Sequence, residues 1–82
     1  MKIEVTPDDI AHGLMRSTSR CPIALAVQRT TGESALVYTT SVVLSPNGAN
    51  RRRIWTKEII DFIAAFDFGR EVKPFSFELD IP

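Results

Sequence analysis

Residues 59–81 read IIDFIAAFDFGREVKPFSFELDI, and this stretch decides the fold. Ile59, Phe62, Ile63 and Phe66 recur at the spacing of one helical face. Lys57, Asp61, Ala64 and Ala65 fall on the other side. Thr56 stands where an N-cap is needed, with a hydroxyl suited to an orphan first-turn amide. Glu58 follows at the positive end of the helix dipole. Gly69 suits the left-handed residue that closes a helix, and Pro74 prevents an early restart. Beyond it the chain alternates. Phe75, Phe77, Leu79 and Ile81 share one face, and Ser76, Glu78 and Asp80 share the other. The pattern predicts a helix, a glycine stop, and a half-buried closing strand covered on one side by a helix.

Working outward, 82 residues suffice for one domain, spanning 1–82. A domain of this size is marginal, so its large apolar residues are expected in one core. The apolar share of 44% is ordinary for a globular chain. Ten basic residues balance ten acidic ones. That neutrality argues against a DNA mimic and against a generally basic nucleic-acid binder. The single cysteine excludes an internal disulfide and fits a reducing compartment. No signal-peptide pattern and no apolar run near ~18 residues is present, which predicts a cytoplasmic protein without membrane contact.

The first half supplies further elements. Ile3 and Val5 alternate with Lys2 and Glu4, predicting a first strand. Thr6-Pro7-Asp8-Asp9 starts a short helix, with a capping hydroxyl, proline at its first position and carboxylates on the dipole. Gly13 ends it. Residues 14–20 are polar and aperiodic, the expected mobile loop. Cys21-Pro22 opens a second helix, apolar all round from Ile23 to Val27, which suits burial on several sides or an oligomer interface. A monomer is favoured over a homodimer, because so short a chain needs that helix for its own core. Gly32 closes the helix. Residues 35–44 form either one long strand or two short ones bent at Thr39-Thr40-Ser41. Pro46-Asn47-Gly48 signals a turn, and residues 51–55 suit a short returning strand. The expected fold class is α+β: an antiparallel or mixed sheet of about four strands, with two or three helices packed on one face.

Catalytic, metal and cofactor motifs do not appear, and no cofactor is expected. Cys21 and His12 are the one nucleophile-and-base pair by residue type. A thiol at a helix N-terminus would have a lowered pKa, but no third group orients the pair, and a cysteine before an apolar helix suits the core. One Cys and one His cannot build a structural zinc site. Asp8 and Asp9 are accounted for by the dipole. Asp67, Glu71, Asp61 and Glu58 form either an acidic face or merely the solvated side of the last helix.

The concentrated charge lies in Arg51, Arg52 and Arg53, followed by Trp55 and Lys57. Residues 48–57 carry four positive charges and no negative one, whereas residues 58–82 carry two positive and six negative. As a contact patch, arginine forks would meet carboxylates or phosphates while Trp55 anchors or stacks. Otherwise this is a solvated loop that answers the acidic C-terminal segment, with Trp55 in the core.

Four segments, TPDDIAHG from Thr6, CPIALA from Cys21, FIAAFDFG from Phe62 and VKPFSFEL from Val72, together resemble short proteins encoded by bacteriophages and prophages. The middle of the chain and its triple arginine lie outside that pattern. The resemblance implies a bacterial host cell as the setting and a non-enzymatic role. Some such proteins look like anti-CRISPR inhibitors, which occupy a nucleic-acid-handling surface of a CRISPR–Cas effector or nuclease. The expected function is therefore steric occlusion of a host protein or ribonucleoprotein complex through Arg51, Arg52, Arg53, Trp55 and Lys57. The alternatives are an accessory nucleic-acid-binding protein that uses the same arginines on phosphates, and an enzyme built on Cys21 and His12.

Overall fold

Strand β1 (Lys2–Val5) turns Ile3 and Val5 into the core and Lys2 and Glu4 to solvent, as its alternation requires. A computed structural model of the chain describes residues 1–45 and 51–80. After β1, Thr6 and Asp9 close a capping box: Thr6 Oγ1 accepts from Asp9 N at 3.2 Å, and Asp9 Oδ2 accepts from Thr6 N at 2.8 Å. That box starts α1 (Pro7–His12). Gly13 ends α1, but its φ of −69° is not left-handed. It is needed for space. A Cβ there would lie 2.6 Å from Pro22 Cδ and 2.7 Å from the Asp9 carbonyl, so glycine lets the two helices meet.

Helix α2 (Pro22–Thr31) buries Ile23, Ala24, Ala26 and Val27, and packs against α1, β1 and the next strand. Of the apolar run from Ile23 to Val27, Leu25 alone stays half-buried. Gly32, at φ 72°, closes it from the left-handed region.

Residues 35–44 fold back as two strands, β2 (Ala35–Val37) and β3 (Ser41–Leu44), with Tyr38 N donating to Ser41 O at 2.8 Å. The reversal changes the phase of the alternation. Ala35 and Val37 face inward before the turn, and Val42 and Leu44, their cross-strand partners, face inward after it. A single long strand would have put Val37 and Val42 on opposite faces. Strand β4 (Arg51–Ile54) pairs with β3. The expected Pro46-Asn47-Gly48 turn and the end of the last strand at Ile81 lie outside the described residues.

Helix α3 (Lys57–Asp67) buries Ile59 and Ile63, with Phe62 and Phe66 half-buried beside them. Thr56 has the extended backbone of an N-cap, but its hydroxyl accepts no first-turn amide, contrary to the expectation from residue type. The other end closes as expected. Arg70 N donates to Ala65 O at 2.9 Å and Gly69 N to Phe66 O at 3.0 Å, with Gly69 at φ 75°. Strand β5 (Phe75–Glu78) then pairs antiparallel with β1, and reciprocal bonds between Met1 and Leu79 extend the ladder.

Among the described residues the chain therefore forms three helices and five strands, an α+β domain. The strands do not make one sheet, as expected, but two antiparallel ones, β1-β5 and β2-β3-β4. An aromatic line joins them. Phe62 meets Phe75 at 4.8 Å between centroids, Phe75 meets Phe77 at 5.7 Å, and Phe77 meets Trp55 edge-on at 5.7 Å. Side chains rather than ladder hydrogen bonds hold α3, β5 and the end of β4 together.

Candidate partner-binding surface

The three arginines occupy consecutive positions of β4, so the period of a strand divides them. Arg51 pairs with Leu44 and Arg53 with Val42, both core residues, which puts these two guanidinium groups on the inward face at its margin. Arg51 Nη2 lies 3.7 Å from Glu33 Oε1. Arg53 Nε donates to the Asp80 carbonyl at 2.8 Å and its Nη1 to the Arg52 carbonyl at 3.0 Å. Arg53 thereby covers part of the margin of β4 and ties it to the chain beyond β5, one way of shielding a sheet edge.

Arg52 stands on the opposite face and is exposed, with a long 3.4 Å bond from Nη1 to Ser41 Oγ. Around it on that outer face are Val43, half-buried, and Leu36 and Ile54, 38% and 73% exposed, with Tyr38 also exposed beyond Leu36. Apolar side chains interrupted by one arginine form a surface suited to another protein. Lys57 reaches Asp61 at 2.9 Å in an exposed pair of little energetic weight.

Trp55 does not belong to this surface. It is 5% exposed, its Nε1 donates to the Tyr38 carbonyl at 3.1 Å, and its ring packs on Phe77. The expected contact role for Trp55 gives way to a core role, since the strand end turns it beneath β5. Leu36, Tyr38 and Ile54 were not singled out from sequence. The signal was available: Ile54 follows Arg52 by one strand period.

No protein-family model matches this chain, and neither does any curated protein or solved structure.

Chemistry-bearing residues elsewhere are placed as follows. Cys21 caps α2, its Sγ accepting from Ala24 N at 3.4 Å, and is 6% exposed. Burial pushes its thiol pKa up, with the Asp67 carboxylate adding to the effect and backbone hydrogen bonds opposing it. The expected lowering by a helix N-terminus is overridden by desolvation. His12 is exposed at the end of α1, with Nδ1 2.9 Å from the Asp8 carbonyl, and does not line the cavity beside Cys21. Among the described residues no group of three or more His, Cys, Asp or Glu is arranged to hold a metal, and no helix is long and apolar enough to cross a membrane.

That cavity, about 300 Å³, lies where residues 14–20 meet α2, the β2–β3 turn and α3. Hydrogen bonds tie this loop to its neighbours. Leu14 N bonds Arg20 O, Arg16 N bonds Asp67 Oδ1 at 2.8 Å, Gln28 Nε2 bonds Ser19 O at 2.9 Å, and Val37 N bonds Thr18 O at 2.7 Å. Arg16 has φ 59°, a left-handed conformation that costs a non-glycine residue on the order of 1 kcal/mol.

Proposed function

We propose that the chain is a phage- or prophage-derived binding module that inhibits a host defence complex, a CRISPR–Cas effector, by steric occlusion. The observation that carries this reading is the outer face of β2-β3-β4. There Arg52 sits beside Leu36, Val43 and Ile54, exposed or half-buried. The sequence resemblance to small phage proteins supplies the setting. The apolar share of the face favours a protein contact over a phosphate backbone, because only Arg52 of the three arginines is directed outward there. Phosphate binding would require several unengaged cations, and Arg53 is already committed to the Asp80 carbonyl.

The test is expression of the protein in cells with active CRISPR immunity, together with recovery of bound Cas subunits from lysate. Restored phage plaquing, lost in Arg52→Glu and Ile54→Asp variants that still fold, is the expected outcome. Full immunity with no Cas subunit recovered overturns the proposal. Binding to DNA or RNA that collapses as salt rises would transfer the function to nucleic acid instead.

A further inference from the structure

The cavity between α2 and α3 borders the outer sheet face at Tyr38, but takes no lining from Leu36, Val43 or any residue of β4. Its walls are apolar: Ile23, Val37, Ile63 and the half-buried rings of Phe62 and Phe66, with the Cys21 thiol beside them. Its polar lining carries one charge of each sign, Arg16 and Asp67. These two residues are bound to each other, but not as an ion pair. The backbone N–H of Arg16 takes Asp67 Oδ1, at 2.8 Å. The Arg16 guanidinium makes no hydrogen bond or ion pair among the described residues, and the Asp67 carboxylate makes none beyond this one. The left-handed backbone of Arg16 is thus held by the residue whose charge its side chain leaves unpaired. Strained residues maintained by their surroundings occur at ligand clamps.

From this arrangement the geometry points to a binding site for a free α-amino acid with an aromatic or branched apolar side chain. The side chain fills the apolar part, the carboxylate meets the Arg16 guanidinium, and the ammonium meets Asp67. Size supports that class. Ligand pockets run from ~300 to ~1,000 Å³, and a cavity of about 300 Å³ is at the small end, too small for a nucleotide or a folded peptide. Charge supports it as well: a simple anion would be repelled by Asp67 and a simple cation by Arg16, whereas a zwitterion satisfies both.

The test is an NMR titration of the full chain with L-phenylalanine and L-leucine, set against glycine and N-acetyl-phenylalanine amide. Saturable shifts at Val37, Ile63 and Phe66 are expected with phenylalanine and leucine. Binding should weaken at least about tenfold for glycine, which lacks the apolar group, and for the capped analogue, which lacks both charges. Asp67→Asn keeps an oxygen for Arg16 N while removing the charge, and Arg16→Gly removes the guanidinium at a φ that glycine favours. Both variants should unfold cooperatively, Arg16→Gly with no loss of stability, and each should bind phenylalanine at least about tenfold less tightly. Equal binding of the capped analogue, equal binding by both variants, or no saturable shift with either amino acid overturns the assignment. The first of these outcomes would make the cavity a socket for a partner's side chain.

Discussion

Arg29 grips Asp9 with both nitrogens of its fork, across the junction of α1 and α2. Nη1 bonds Oδ1, Nη2 bonds Oδ2 at 3.0 Å, and Nη2 also donates to the Glu4 carbonyl at 2.8 Å. Asp9 is 4% exposed and also closes the capping box with Thr6. The Asp9–Arg29 pair therefore joins α1 to α2, and through the Glu4 carbonyl to β1. Burial alone would raise its pKa, but hydrogen bonds from Arg29 and Thr6 outweigh that and hold it below the ordinary value of 3.8. Replacing Arg29 with Met strands a buried carboxylate and should cost on the order of 3 kcal/mol, whereas Asp9→Asn, which keeps an acceptor for Thr6 N, should cost about 1–2 kcal/mol. Urea unfolding of the two variants measures both values.

The same pair sets a pH dependence. Between the folded and unfolded pKa values of Asp9 the unfolded chain binds more protons, so stability rises with pH there. The contribution is complete above about pH 4 and is lost as acid takes the pH down through the lowered folded value. The stability difference between the parent and Asp9→Asn should be constant at neutral pH and shrink below about pH 4. A difference that does not change down to strong acid would show that Asp9 is not lowered.

Gly13→Ala should destabilise by about 1–3 kcal/mol through collision with Pro22 and the Asp9 carbonyl, although its φ of −69° suits alanine. In a thermal-melt comparison, part of that loss should return in the Gly13→Ala/Pro22→Ala double variant, because Pro22 Cδ is the nearest obstructing atom. Gly32→Ala meets nothing within 4 Å and should cost only about 1 kcal/mol, from its positive φ.

An alanine scan over β4 and Trp55 should follow the strand period. Arg52→Ala should change stability by less than about 0.5 kcal/mol. Arg53→Ala removes the link to Asp80 and should cost about 1 kcal/mol. Trp55→Ala empties the space against Phe77 and should cost about 3–5 kcal/mol. Chemical denaturation ranks the three. Equal effects would mean that β4 does not have the register described.

Cys21 should react with a thiol reagent in the native protein far more slowly than in urea, because its sulfur is buried, bonded to Ala24 N and kept protonated by a raised pKa. Rapid labelling of the folded chain near neutral pH would contradict this placement.

Several elements were legible in the sequence because their causes are local. The Gly69 stop, the Thr6-Pro7 start and the alternation of β5 depend on a few adjacent residues, whose backbone preferences act wherever the chain folds. The arginine run was legible as charge, but not as a surface. Its division needed only the two-residue period of a strand, whereas the neighbours that complete the outer face come from β2 and β3.

The amino-acid order by itself determined an α+β domain with a buried α2 and a phenylalanine-rich closing strand, because periodicity states which side of each element avoids water. Tertiary structure alone decided the rest. It divided the strands between two sheets, reversed the inward phase at Tyr38–Ser41, seated Trp55 beneath β5 and joined Asp9 to Arg29. It also made Gly13 a matter of space rather than of φ. Each of these depends on where distant residues arrive, and local preference carries no record of that.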